Sequence, residues 1–130
     1  MTPEEVKHKL EWLRYYAIMI PFLKEKIAYL QKEIIKRERQ GRLTLFQEEQ
    51  IAFCQERLQE NIEAQAKLLH FLDEYVDKDF DKDVLIRHFE RGQTYFQIGE
   101  DTFYCEKTII KRVKKALVKI AEKVKDVEPS

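Results

Sequence analysis

The residues best equipped for chemistry lie toward the C-terminal end. Between positions 105 and 125 the chain carries Lys107, Lys111, Arg112, Lys114, Lys115, Lys119, Lys123 and Lys125 against Glu106 and Glu122, a local net charge of +6 in a sequence whose formal charge is zero. Cations repeated at helical spacing can neutralise a row of phosphates. At the leading end of the same segment, Glu106, Lys107, Ile110 and Lys111 supply an acceptor, donors and an apolar group, the set that base edges in a major groove can meet. Arg112, Lys114, Lys115 and Lys119, with the Thr94 hydroxyl upstream, are the expected phosphate contacts. Ile109, Val113, Leu117, Ile120 and Val124 recur at three and four, which predicts one helix from Glu106 to near Val124 with its apolar side inward.

Other chemistries find little support. His8, His70 and His88 are isolated, and neither cysteine stands at a spacing that zinc requires. Asp79, Asp81, Asp83 and Glu90 copy the ligand order of a calcium loop, but Val84 occupies the position where that loop needs glycine. A glycine-rich phosphate loop and a nucleophile elbow are both missing. No cofactor, no metal and no enzymatic activity are expected. Cys54 and Cys105 read as free thiols of a reducing compartment, with the cytoplasm the expected location. The longest apolar run, residues 15–23, is too short to span a bilayer.

The basic helix needs a support that holds it at an angle. Thr94 followed three residues later by Gln97 has capping-box spacing and predicts a short helix to about Asp101, then a tight turn at residues 102–105. Gly99 is the small residue that closely crossed helices demand. Ile98 and Tyr104 bracket the turn as buried contacts, and Ile109 locks the second helix against the first. Upstream, Asp81 or Asp83 is expected to cap a helix holding Val84, Leu85, Ile86 and Phe89, which Gly92 ends. Residues 84–125 thus form a three-helix, helix-turn-helix unit, preceded by a flexible acidic joint at 77–83 and followed by a disordered tail at 126–130.

Gly92-Gln93-Thr94-Tyr95-Phe96-Gln97-Ile98-Gly99, followed by Glu106-Lys107-Thr108-Ile109-Ile110-Lys111-Arg112-Val113-Lys114-Lys115-Ala116-Leu117, resembles region four of bacterial sigma factors over residues 81–121. The resemblance implies a promoter-type major-groove reader. Thr102 replaces a usual apolar residue, Phe103 a frequent glycine, and Cys105 the serine that normally caps the reading helix. More loosely, the whole chain resembles the ArpU and RinA-like regulators of phage and prophage late genes, which implies sequence-specific transcriptional regulation.

The N-terminal half predicts long helices, and the fold class is all-α. Thr2-Pro3-Glu4-Glu5 marks a helix start. A stripe from Val6 through Leu10, Leu13, Ala17, Ile20, Leu23, Ile27 and Leu30 to Ile34 carries the helix to about Gln40, kinked or broken near Pro21. Beyond Gly41, Thr44 and Gln47 repeat the capping-box spacing, and Ile51, Cys54, Leu58, Ile62, Gln65, Leu69, Leu72 and Val76 form a second stripe. The two helices are expected to pair as an antiparallel hairpin over residues 1–76. Trp12, Tyr16, Phe22, Phe53 and Phe71 lie off its seam and need a further partner, either the C-terminal unit or a second copy of the chain, and a homodimer through the hairpin is expected. Double-stranded DNA is the expected partner, RNA polymerase a further candidate, and a membrane is not expected. The alternatives are a small terminase-like DNA-packaging subunit and a protein-interaction module that leaves DNA untouched.

Overall fold

The computed structural model describes residues 1–127 of the 130, and all its regular elements are helical: α1 (Pro3–Arg39), α2 (Leu45–Tyr75), α3 (Asp79–Leu85), α4 (Tyr95–Thr102) and α5 (Glu106–Val127), with a π turn at Ile86–Glu90 after α3. The helix start at Thr2 is built as its spacing predicts. The Thr2 hydroxyl accepts from the Glu5 amide at 3.2 Å, and the Glu5 carboxylate accepts from the Thr2 amide at 3.4 Å. Pro21 does not divide α1, which is helical on both sides of it. One missing amide donor is a local loss that the remaining turns of a long helix outweigh.

Two compact units emerge. The first joins Met1–Tyr15 to the described residues from Ala66 onward, and the second is Tyr16–Gln65. In the second, α1 and α2 meet at a short connection where Gly41 takes the left-handed conformation (φ +67). Its buried residues are Leu23, Leu30, Gln47, Cys54 and Asn61. Asn61, rather than the expected Ile62, is buried, and Ile62 is 36% exposed. The inward positions of α2 run 47, 51, 54, 58, 61, 65, 68, 72, alternating fours and threes, a 3.5-residue period that keeps one narrow seam facing inward. The reciprocal half of the expected capping box at Thr44 is not made, because Gln47 Oε1 is buried without a partner.

In the first unit Val6, Leu10 and Leu13 of α1 are fully buried, as are Leu72, Leu85, Ile98 and Ile109. α3 starts three residues earlier than an Asp81 cap would allow, at Asp79, with no side-chain cap at Lys78. With Asp79, Asp81 and Asp83 on a helix, the calcium-loop order of carboxylates has no loop to converge in. After Leu85 the backbone widens, and the Arg91 amide donates to the Ile86 carbonyl five residues back. That extra residue per turn buries Phe89 beside Val84 and Leu85 before Gly92 (φ +73) ends the run. The Arg14 guanidinium donates to the Glu90 carbonyl at 3.3 Å, satisfying an acceptor at the end of the widened turn.

The acidic joint is pinned rather than free. Asp73 pairs with Lys82 at 2.8 Å, Asp83 with Arg87 at 2.8 Å and Asp81 with Arg112 at 3.3 Å, while Asp77 takes the Lys123 ammonium, which also donates to the Tyr75 carbonyl. Helix α5 continues through Asp126 and Val127, two residues into the expected tail; residues 128–130 lie outside the described residues.

Lys123, through its hydrogen bond and then its charge, holds the Asp77 carboxyl below its ordinary value. A carboxyl depressed by folding stabilises the folded state above its unfolded pKa and loses that contribution as pH falls through the lowered one. Asp77→Asn should therefore lower the melting temperature at neutral pH, and the gap from the wild type should close between about pH 5 and pH 2. Thermal unfolding followed by circular dichroism across that range checks it.

Candidate functional site

The candidate site is built on α4, the turn after it, and α5. Thr94 caps α4 through a full reciprocal pair: its hydroxyl accepts from the Gln97 amide at 3.1 Å, and Gln97 Oε1 accepts from the Thr94 amide at 2.9 Å. The hydroxyl hydrogen of Thr94 is left free to donate outward. At the other end of α4, the half-buried Thr102 satisfies its hydroxyl within the helix, donating to the Ile98 carbonyl at 2.7 Å. Phe103 then adopts the left-handed conformation (φ 63, ψ 27), and the Tyr104 amide donates back to the Gly99 carbonyl at 3.0 Å.

Gly99 is indispensable for a more local reason than helix crossing. A Cβ there would stand 2.6 Å from the Tyr104 carbonyl oxygen and 3.5 Å from the Glu106 amide nitrogen. The turn folds back onto α4, so the backbone entering α5 lies directly on this residue. Ile98 and Ile109 are fully buried as expected, but Tyr104 is 44% exposed. Its ring lies on the Phe80 ring, centroids 5.1 Å apart, instead of entering the core.

Cys105 stands immediately before α5, and Thr108 and Ile109 donate their amides to its carbonyl. Its sulfur lies 3.0 Å from the Thr108 hydroxyl. That hydroxyl first, then the Thr108 and Lys107 amides, hold the thiol below its ordinary pKa.

Along α5 the expected division of faces holds: Ile109, Val113, Leu117, Ile120 and Val124 are buried, with Ala116 and Ala121 beside them. Glu106, Lys107 and Lys111 are exposed at the leading end, and Ile110 is half-buried at the edge of the core. Lys114 and Lys115 are exposed, and Lys119 is half-buried.

Arg112 stands apart from the other cations. Its guanidinium pairs with Asp81 and lies 4.8 Å above the Phe80 ring and 5.8 Å from that of Tyr104, so it joins α3 to α5. With Lys78, Asp81, Thr108, Lys111, Lys115 and Lys119 it lines a cleft of about 350 Å³. Lys78 and Thr108 are additions that charge counting along the chain does not reveal. Lys78 sits among aspartates whose charge hides it, and of these Asp77 and Asp81 are paired with Lys123 and Arg112.

No family model matches the chain, and neither a curated protein nor a solved structure matches it. The geometry stands by itself. Lys107, Lys111, Lys114 and Lys115 make no ion pair among the described residues, whereas Asp73, Asp77, Asp81 and Asp83 are each taken by a cation. Fixed cations around a polar cleft can bind an oxyanion without first giving up an internal partner. Phe96 and Phe103, which line a shallow depression with Cys105 and Glu106, are exposed, Phe103 almost completely at 96%.

A bulky left-handed residue costs about 1–2 kcal/mol, partly offset by the greater chain entropy of glycine when unfolded. Phe103→Gly is thus expected to raise stability by about 0.5 kcal/mol, and Gly99→Ala, which meets backbone rather than a movable side chain, to lower it by roughly 1–3 kcal/mol. Urea unfolding of both variants reads the two opposite signs.

Proposed function

We propose that the protein is a sequence-specific DNA-binding regulator of transcription, of the phage or prophage type its sequence resembles, with α4 and α5 acting as a helix-turn-helix and the N-terminal end of α5 entering the major groove. The observation that carries this is the outward cationic face of α5, free of internal ion pairs at Lys107, Lys111, Lys114 and Lys115 and fixed at an angle to α4 by the backbone contact at Gly99. Glu106, Lys107, Ile110 and Lys111 read bases in this account, the half-buried Ile110 offering a methyl-sized apolar surface that suits thymine. Lys114, Lys115 and Lys119 hold phosphates on either flank, with the Thr94 hydroxyl as a further donor. Lys78 and Thr108 extend the phosphate track across the cleft. Arg112 keeps α5 seated on α3 and, from the cleft that it lines, adds a further phosphate donor.

No cofactor or metal enters the mechanism. Binding is driven by release of counterions from phosphates, so affinity falls steeply with salt. Specificity comes from the smaller number of groups at the leading end of α5.

The two roles separate by substitution. Lys115→Ala is expected to weaken binding equally on a selected site and on a scrambled one, and to reduce the slope of log affinity against log salt by about one. Lys107→Ala should cost about 1–3 kcal/mol on the selected site and little more than a phosphate contact on the scrambled one. Equal losses on both duplexes for both variants, measured by fluorescence anisotropy, would remove the base-reading role from Lys107.

A further inference from the structure

The unit Tyr16–Gln65 has too little interior for a pair of helices standing alone. Among its apolar side chains Leu23, Leu30 and Cys54 are buried, while Phe22 is 53%, Tyr29 63%, Phe46 66% and Phe53 58% exposed. A core this small seldom supplies more than about 3–5 kcal/mol. The seam also contains Gln47 and Asn61, whose Oε1 and Nδ2 atoms are buried without partners.

The four exposed rings follow one rule. Phe22, Tyr29, Phe46 and Phe53 each directly precede a buried residue: Leu23, Leu30, Gln47 and Cys54. In an antiparallel pair, positions offset equally from the seam fall on the same side, so the rings make one stripe along one face. At about 200 Å² for a whole aromatic side chain, the exposed halves amount to roughly 400 Å². That equals the largest apolar patch on an ordinary monomer. Together with the stems of the flanking lysines and glutamates it approaches the ~800 Å² per partner of a stable interface.

Charge identifies the occupant. Between positions 16 and 39, α1 has six basic and three acidic side chains, and between 45 and 65, α2 has five acidic and one basic. We propose that this face binds the same face of a second copy, with α1 of each protomer lying on α2 of its partner about a two-fold axis parallel to the helices. That arrangement sets each basic arm on an acidic one, whereas α1 on α1 would oppose like charges. Tyr29 and Phe53 lie at nearly the same distance from the connection between the helices, so ring meets ring across the axis. The inference stands independently of DNA binding, since none of these residues belongs to α4 or α5.

Sedimentation equilibrium of the full chain tests it, with circular dichroism confirming that each variant stays helical. A dimer is expected at about 100 µM, a concentration that reveals any dissociation constant of ~10 µM or tighter. Phe53→Glu, at a ring that contributes little to the protomer's own interior, should weaken dimerisation about tenfold or more, and Phe103→Glu on the other unit should leave it unchanged. Lys32→Glu with Lys36→Glu should weaken it several-fold, and adding Glu49→Lys and Glu56→Lys should restore it. A monomeric wild type would assign the face to a different protein and overturn the proposal. So would a ring of many subunits, a dimer indifferent to Phe53→Glu, or a fourfold charge reversal no tighter than the double one.

Discussion

The approach of the Tyr104 carbonyl to Gly99 is the constraint on which the candidate site depends. A side chain at position 99 would collide with backbone, which has no rotamer to escape into. With hydrogen there instead, the turn closes over α4, Phe103 accepts a left-handed conformation, and α5 leaves at an angle that buries Ile109 while exposing Lys107 and Lys111. Phe103 bears the cost of that turn, and its nearly full exposure shows that packing does not compensate it. A residue kept in an unfavourable conformation with an unburied ring is better understood by what the turn positions than by what the ring touches.

Electrostatics completes the arrangement by partition. Individual surface ion pairs contribute little to stability, so the effect of the acidic segment lies in where its charges end up. Asp73, Asp77, Asp81 and Asp83 each take a cation, and two of those cations, Arg112 and Lys123, come from α5. The acidic segment therefore clasps one edge of the basic helix and leaves its outer face unneutralised. Formal neutrality of the whole chain conceals a strongly cationic surface with its anions spent locally.

Much of this was legible in the sequence where the signal is local. The capping pairs at Thr2 and Thr94, and the inward and outward faces of α5, are decided within a turn or two of helix, whereas the same spacing at Thr44 fails because Gln47 is drawn into the seam. Features decided by neighbours distant in sequence were not legible. The seam of α2 buries Asn61 in place of the more apolar Ile62 because a 3.5-residue period is set by the facing helix, not by hydrophobicity at one position. Arg112 looks like one more cation until Asp81 and the Phe80 ring are brought to it, and Lys78 looks neutralised until Asp77 and Asp81 are paired with cations of α5. The π turn at Ile86–Glu90 leaves no mark in composition, since it arises from fitting Phe89 into a core assembled from other elements. Tyr104, expected inside, lies on Phe80 at the surface for the same reason.

Amide chemical shifts report, residue by residue, which surface meets a duplex. Titrating isotope-labelled protein at low salt with a short duplex of arbitrary sequence, where phosphate contacts alone suffice for binding, is predicted to move resonances at Thr94, Lys107, Thr108, Lys111 and Lys115 and to leave those around Phe22 and Phe53 in place. Shifts confined to the aromatic face, or none anywhere along α5 at saturating DNA, would contradict the account.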